Sequence, residues 1–128
     1  MIKAISLNEI TDNSGIPTLV FNNVSLGAGK FAVIAKDSAT LQALSLPSGT
    51  LQIVLSTPIG NGLSGSGDKL ILKNMSQTVV DQLSWGSDSS IFTLGVIPAG
   101  HSLGRKQVNG DSDTASDFVD YSVGNPGS

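Results

Sequence analysis

The chain contains no cysteine. Disulfide staples, thiolate-ligated zinc and a cysteine nucleophile are therefore excluded, although the compartment is left open. Charge is scarce as well: only 13% of residues are charged, with a formal net charge of −3 and a pI near 4.7. The densest basic spot is the dipeptide Arg105-Lys106. Binding to phosphates draws on a concentrated set of cations whose contacts release counterions, so nucleic acid and anionic membrane surfaces are disfavoured partners. Long apolar runs are lacking. The longest, Phe31-Ala32-Val33-Ile34-Ala35, is far too short to cross a bilayer, so no membrane insertion is expected. Met1-Ile2-Lys3 leads into a mixed segment rather than the apolar region of a signal peptide. Histidine occurs once, as His101.

The 128 residues suit a single domain spanning 1–128, long enough to bury a core without metal or disulfide support. Ser, Thr, Gly, Asn and Asp are abundant, and these residues favour turns. Together with β-branched residues and low charge, they point to an all-β fold. Ile2 to Ile10 and Ile16 to Asn22 read as strands, separated by the turn cluster Thr11-Asp12-Asn13-Ser14-Gly15. Ser25 to Gly29 reads as a turn. Lys30 to Lys36 is nearly all apolar and so expected to be buried on both faces. At Asp37 the period changes. Asp37 or Ser38 can cap, and Leu41 and Leu44 lie three apart, so one short helical turn is expected near residues 38–44. Thr50 to Thr57 alternates, with Leu51, Ile53 and Leu55 facing one way.

Residues Leu63 to Gly86 carry the strongest pattern: a glycine-rich approach, a strand from Asp68, a polar turn, and a second strand ending at Trp85. Ser90 to Val96, Ser102 to Val108 and Phe118 to Val123 complete the expected strands. Short turn-bounded strands with no βαβ rhythm indicate a sandwich or barrel.

Several separate segments resemble one family. Leu26-Gly27-Ala28-Gly29-Lys30-Phe31 is similar to its "L-x-x-G-x-[FY]" strand. Leu63-Ser64-Gly65-Ser66-Gly67-Asp68-Lys69-Leu70-Ile71-Leu72 resembles its "L-S-N-x-G-D-x-I-x-L" signature. Val79-Val80-Asp81-Gln82-Leu83-Ser84-Trp85, Gly100-His101-Ser102-Leu103-Gly104-Arg105 and Asn125-Pro126-Gly127 resemble its later motifs. The family is the lamin-tail domain in its bacterial or archaeal form. The resemblance implies an immunoglobulin-like β-sandwich that is non-catalytic and acts in protein binding or as a structural module. It also implies a larger secreted or cell-surface protein, often with an enzyme domain alongside, so an extracellular setting is favoured. At the N-terminus, Leu7-Asn8-Glu9-Ile10 matches the family's opening only superficially, and no Trp-containing acidic strand follows. The preferred alignment sets Ile5 to Asp12 on a later segment, with the first strand or strands absent. An absent strand leaves an open sheet edge, with Ile2 to Leu7 or Ile16 to Phe21 as candidates for self-association or for accepting a partner strand.

Five features invite chemical readings. Gly60-Asn61-Gly62-Leu63-Ser64-Gly65 spells a dinucleotide fingerprint. That mechanism needs a following helix, and a strand follows instead, so no cofactor-binding residue is assigned. His101 beside Ser102 suggests a triad, but no nucleophile elbow presents the serine, so no catalytic residue is assigned. Asp111, Asp113 and Asp117 are the metal candidate, because alternating carboxylates suit calcium; an EF-type loop fails for want of its glycine and its bidentate glutamate. A solvated loop with Asx-type turns explains the same residues. Calcium or carbohydrate binding in an accessory domain is the alternative function. Asp68 and Asp81 are expected to accept backbone N–H bonds. Trp85 is a core residue or an exposed anchor.

Overall fold

The structure is a computed structural model, and it describes residues 5–15, 24–107 and 110–122. The expected strand over Ile16 to Asn22, and the ends of others at residues 2–4, 108 and 123, lie outside them. The described residues are mostly β-strand: β1 Ile5–Leu7, β2 Glu9–Thr11, β3 Val24–Leu26, β4 Ala32–Ala35, β5 Leu51–Val54, β6 Gly67–Lys73, β7 Val79–Gly86, β8 Ser102–Arg105 and β9 Phe118–Tyr121. One helix, α1 Ser38–Ala43, lies between β4 and β5. It stands where the change of period put it. Asp37 caps it, accepting from the Thr40 amide at 2.8 Å, and Leu41 is buried beneath it.

The centre is the antiparallel sheet β2-β6-β7. Alternation along β6 puts Asp68, Leu70 and Leu72 on one face, opposite Trp85, Leu83 and Ile10 in register. Ile10, Leu70 and Leu72 from this sheet meet Ile34 of β4, Ile53 of β5 and Leu55 to form the core. Within β5, Ile53 is buried while Gln52 and Val54 are exposed, as the alternation requires. The pairs β1-β3, β4-β5 and β8-β9 form three further two-stranded sheets.

Four sequence expectations are corrected. The strand over Ile2 to Ile10 is two strands. Its first part pairs with β3, then the Asn8 amide bonds the Lys73 carbonyl at 3.0 Å and β2 pairs with β6. Second, β4 is half-buried throughout, not buried on both faces. Among the described residues it has one hydrogen-bonded neighbour, β5, and it turns Ala32 and Ile34 to the core. Third, a βαβ unit is present: β4 and β5 are parallel and α1 lies in the crossover, as a parallel pair requires. Fourth, residues 90–96 are not a strand. They run beside β7, but the buried Ser84 hydroxyl replaces the ladder, accepting from the Ile91 and Phe92 amides at 3.1 and 2.8 Å and donating to the Phe92 carbonyl at 2.9 Å.

Candidate functional site

Two buried carboxylates organise the glycine-rich loop. Asp12 and Asp68 are each 1% exposed, and burying a charge is costly unless it is paired or hydrogen-bonded. Both are satisfied by donors of the surrounding turns. Asp68 accepts from the amides of Asn13 (3.0 Å), Ser64 (3.1 Å) and Lys69 (2.8 Å). Asp12 accepts from the Ser14 amide at 2.9 Å, the Ser14 hydroxyl, and the Asn61 amide at 3.0 Å. The turn after β2 and the loop before β6 thus hold each other reciprocally. Burial pushes the Asp12 carboxyl up, but the bonds from Ser14 and Asn61 outweigh it and leave the group below its ordinary value.

This latch explains the fingerprint Gly60 to Gly65. Gly60 has φ +54°, and a Cβ there would lie 2.0 Å from the Asp12 carboxylate. The loop runs into β6, a strand. Beside it, Leu63, Leu70, Leu83, Trp85, Ile97 and Leu103 line an apolar groove of about 350 Å³. Of the two readings of Trp85, the structure shows the core one: the residue is 7% exposed, and its indole N–H donates to the Ser64 carbonyl at 2.8 Å.

The acidic loop is built around a cation. Arg105 ends β8, and its register partner Phe118 starts β9, with the guanidinium 4.7 Å from the Phe118 ring centre. One terminal nitrogen donates to the Asp81 carboxylate at 2.8 Å. The other donates to the Gly110 carbonyl at 2.8 Å and lies 3.5 Å from Asp111 and 3.7 Å from Asp117. Burial opposes the Arg105 charge, yet Asp81, Asp111 and Asp117 outweigh it and raise the group's pKa. Hydrogen bonds from Ser112 hold Asp117 below its ordinary value against desolvation. Asp113 is the exception. Repulsion from Asp111 pushes its carboxyl up, and its amide makes an Asx-type bond to Asp111 at 3.3 Å. The Asp81 and Asp111 side chains are largely exposed, and ion pairs open to solvent add little stability, so the cluster sets the loop's shape more than its stability.

Of the three calcium candidates, Asp111 and Asp117 face the Arg105 guanidinium and Asp113 stands outside it. Calcium takes six to eight oxygens. Among the described residues, no three Asp, Glu or His side chains are grouped so that they could hold a metal ion. Millimolar calcium is therefore expected to leave the melting temperature unchanged; a rise that chelation reverses, followed in thermal melts, would show that the ion displaces the arginine.

His101 stands on the turn before β8, its Nδ1 2.9 Å from the Asp120 carboxylate. It pairs with Asp120 and not with Ser102. Asp68 and Asp81 both accept backbone amides as expected, Asp81 from Gln82 at 2.9 Å. Sequence reasoning missed the roles of Asp12 and Arg105. The turn cluster Asp12 to Gly15 was the signal for the first, whereas Arg105 read only as an isolated basic spot.

No protein-family model, no curated protein and no solved structure matches the chain.

Proposed function

We propose that this chain is a non-catalytic, immunoglobulin-like module of the lamin-tail type, part of a larger surface or secreted protein, which contacts other proteins through open strand edges. One observation carries the reading: among the described residues, β6 alone is hydrogen-bonded to a strand on both sides. Each of the other eight strands presents an edge there, and an unpaired edge is a row of amides and carbonyls ready to accept a further strand. Val54 of β5 and Val79 of β7 add exposed apolar side chains to two of these edges. The motif resemblance supplies the family and the non-catalytic role. The Asp12 and Asp68 latch fits a structural use of its carboxylates, and the His101–Asp120 pair fits a surface tie between β8 and β9.

The test is association. Sedimentation velocity across a hundredfold range of concentration, together with capture of strand-forming peptides, is expected to show concentration-dependent assembly or peptide binding. A strict monomer that captures no such peptide would remove the basis for edge pairing.

A further inference from the structure

We infer that the outer edge of β7 at residues 79–82 is a docking site for an extended segment of a partner protein carrying lysine or arginine. This rests on the edge-pairing reading above and specifies which edge and what partner chemistry.

The geometry begins at Ser84. At the far end of β7, the outer edge is already covered: the Gly86 amide is shared between the carbonyls of Leu94 and Gly95, at 2.9 and 3.2 Å. At Ser84 the neighbouring segment is held by the side chain instead of by the backbone. Towards Val79 the two diverge, and a groove of about 740 Å³ opens between them. Val80, Ile91 and Phe92 give it apolar lining, and Val79 at its end is 43% exposed. Peptides that add to an edge gain affinity from main-chain hydrogen bonds and specificity from alternate side chains, and this groove offers both.

Its charge selects the occupant. Asp81, Asp111 and Asp113 line the groove, and among the described residues no lysine, arginine or histidine does. Asp81, Asp111 and Asp117 share the single guanidinium of Arg105, and Asp113 is not among that group's partners. Lys106 faces a different cleft, with Asp117. A cationic side chain on an incoming strand would meet Asp113 and Asp111 directly and relieve the repulsion between them. The Gln82 amide is held meanwhile by the Asp81 carboxylate. An incoming carbonyl would exchange one hydrogen bond for another, a near-neutral step.

The probe is acetyl-Lys-Val-Lys-Val-Lys-Val-amide, titrated into the isotope-labelled chain and followed by amide chemical shifts. Two control peptides accompany it: the glutamate analogue, and the lysine peptide methylated on alternate backbone nitrogens so that it cannot pair along one edge. The lysine peptide is expected to shift the amides of residues 79–82 and 91–92, and both controls are expected to fail. The double variant Asp111→Asn/Asp113→Asn is expected to weaken binding about fivefold or more, as loss of two rim charges would. The variant is expected to retain the fold, since asparagine adopts the φ of +56° at position 113 readily and, at position 111, can still accept the amide of residue 113; amide shifts of the unbound variant check this. Equal binding of the glutamate peptide, shifts confined to another edge, or undiminished affinity in the double variant would each overturn the inference. Self-association elsewhere with no peptide effect at β7 would overturn it alone. A strict monomer bound by no peptide would overturn the edge-pairing reading as well.

Discussion

Replacing Gly86 by alanine is expected to destabilise the chain by roughly 2–5 kcal/mol, combining left-handed strain with overpacking. Gly86 closes the register of β6 and β7 opposite Gly67. Its φ is +62°, and a Cβ built there would lie 2.1 Å from the Ser66 carbonyl oxygen and 2.7 Å from the Gly67 Cα. Both obstacles are backbone, so no side chain can rotate away. Either the hairpin end opens or the amide loses the Leu94 and Gly95 carbonyls. Gly15→Ala is the control: its φ of +74° carries the strain, but nothing lies within 4 Å of the new Cβ. That variant is expected to lose only about 1–2 kcal/mol. Urea midpoints at constant slope would measure both, and equal losses would show that the close approach at Gly86 does not matter.

Asp68→Ala is expected to cost roughly 3 kcal/mol or more. It strands three backbone amides of which each, where water cannot reach it, costs about 1–3 kcal/mol. The partial exposure of these turns sets the lower figure. Asp12 adds a pH dependence of definite sign. Its folded value is depressed, the bonds from Ser14 and Asn61 outweighing the opposing effect of burial. Folding therefore favours the ionised form. The stabilisation is complete above the unfolded value, about 3.9, and is lost as pH falls through the folded one. Melting temperature should thus drop on acidification below about pH 4, and Asp12→Asn should flatten part of that limb. Parallel limbs in the two proteins would assign the acid sensitivity to other carboxylates.

The parts of the fold visible in the sequence are those fixed by neighbours in the chain. The hairpin β6-β7 follows from period-two alternation around a polar turn, and α1 from a capping aspartate three residues before the threonine it binds. Contacts between distant segments were hidden. Residues 90–96 alternate Phe92, Leu94 and Val96 as a strand would, but a serine hydroxyl from β7 takes the ladder's place. The parallel pairing of β4 and β5 depends on the crossover returning to the same sheet, which a six-residue helix does not announce. The acidic residues stand together in the sequence, but their cation does not, because Arg105 binds Asp81 across 24 residues of sequence. Likewise Asp12 read as a turn residue, since its Asn61 partner lies 49 positions away.

Trp85 is the chain's single tryptophan, and its indole N–H is tied to the loop that Asp12 and Asp68 hold in place. Its fluorescence is consequently a one-site optical reporter. Opening of that loop exposes the ring to water and moves the emission to the red. An occupant of the apolar groove beside Leu63, which Trp85 lines, would change the ring's surroundings directly. Trp85 emission therefore reports on the loop and the apolar groove beside it without any added label.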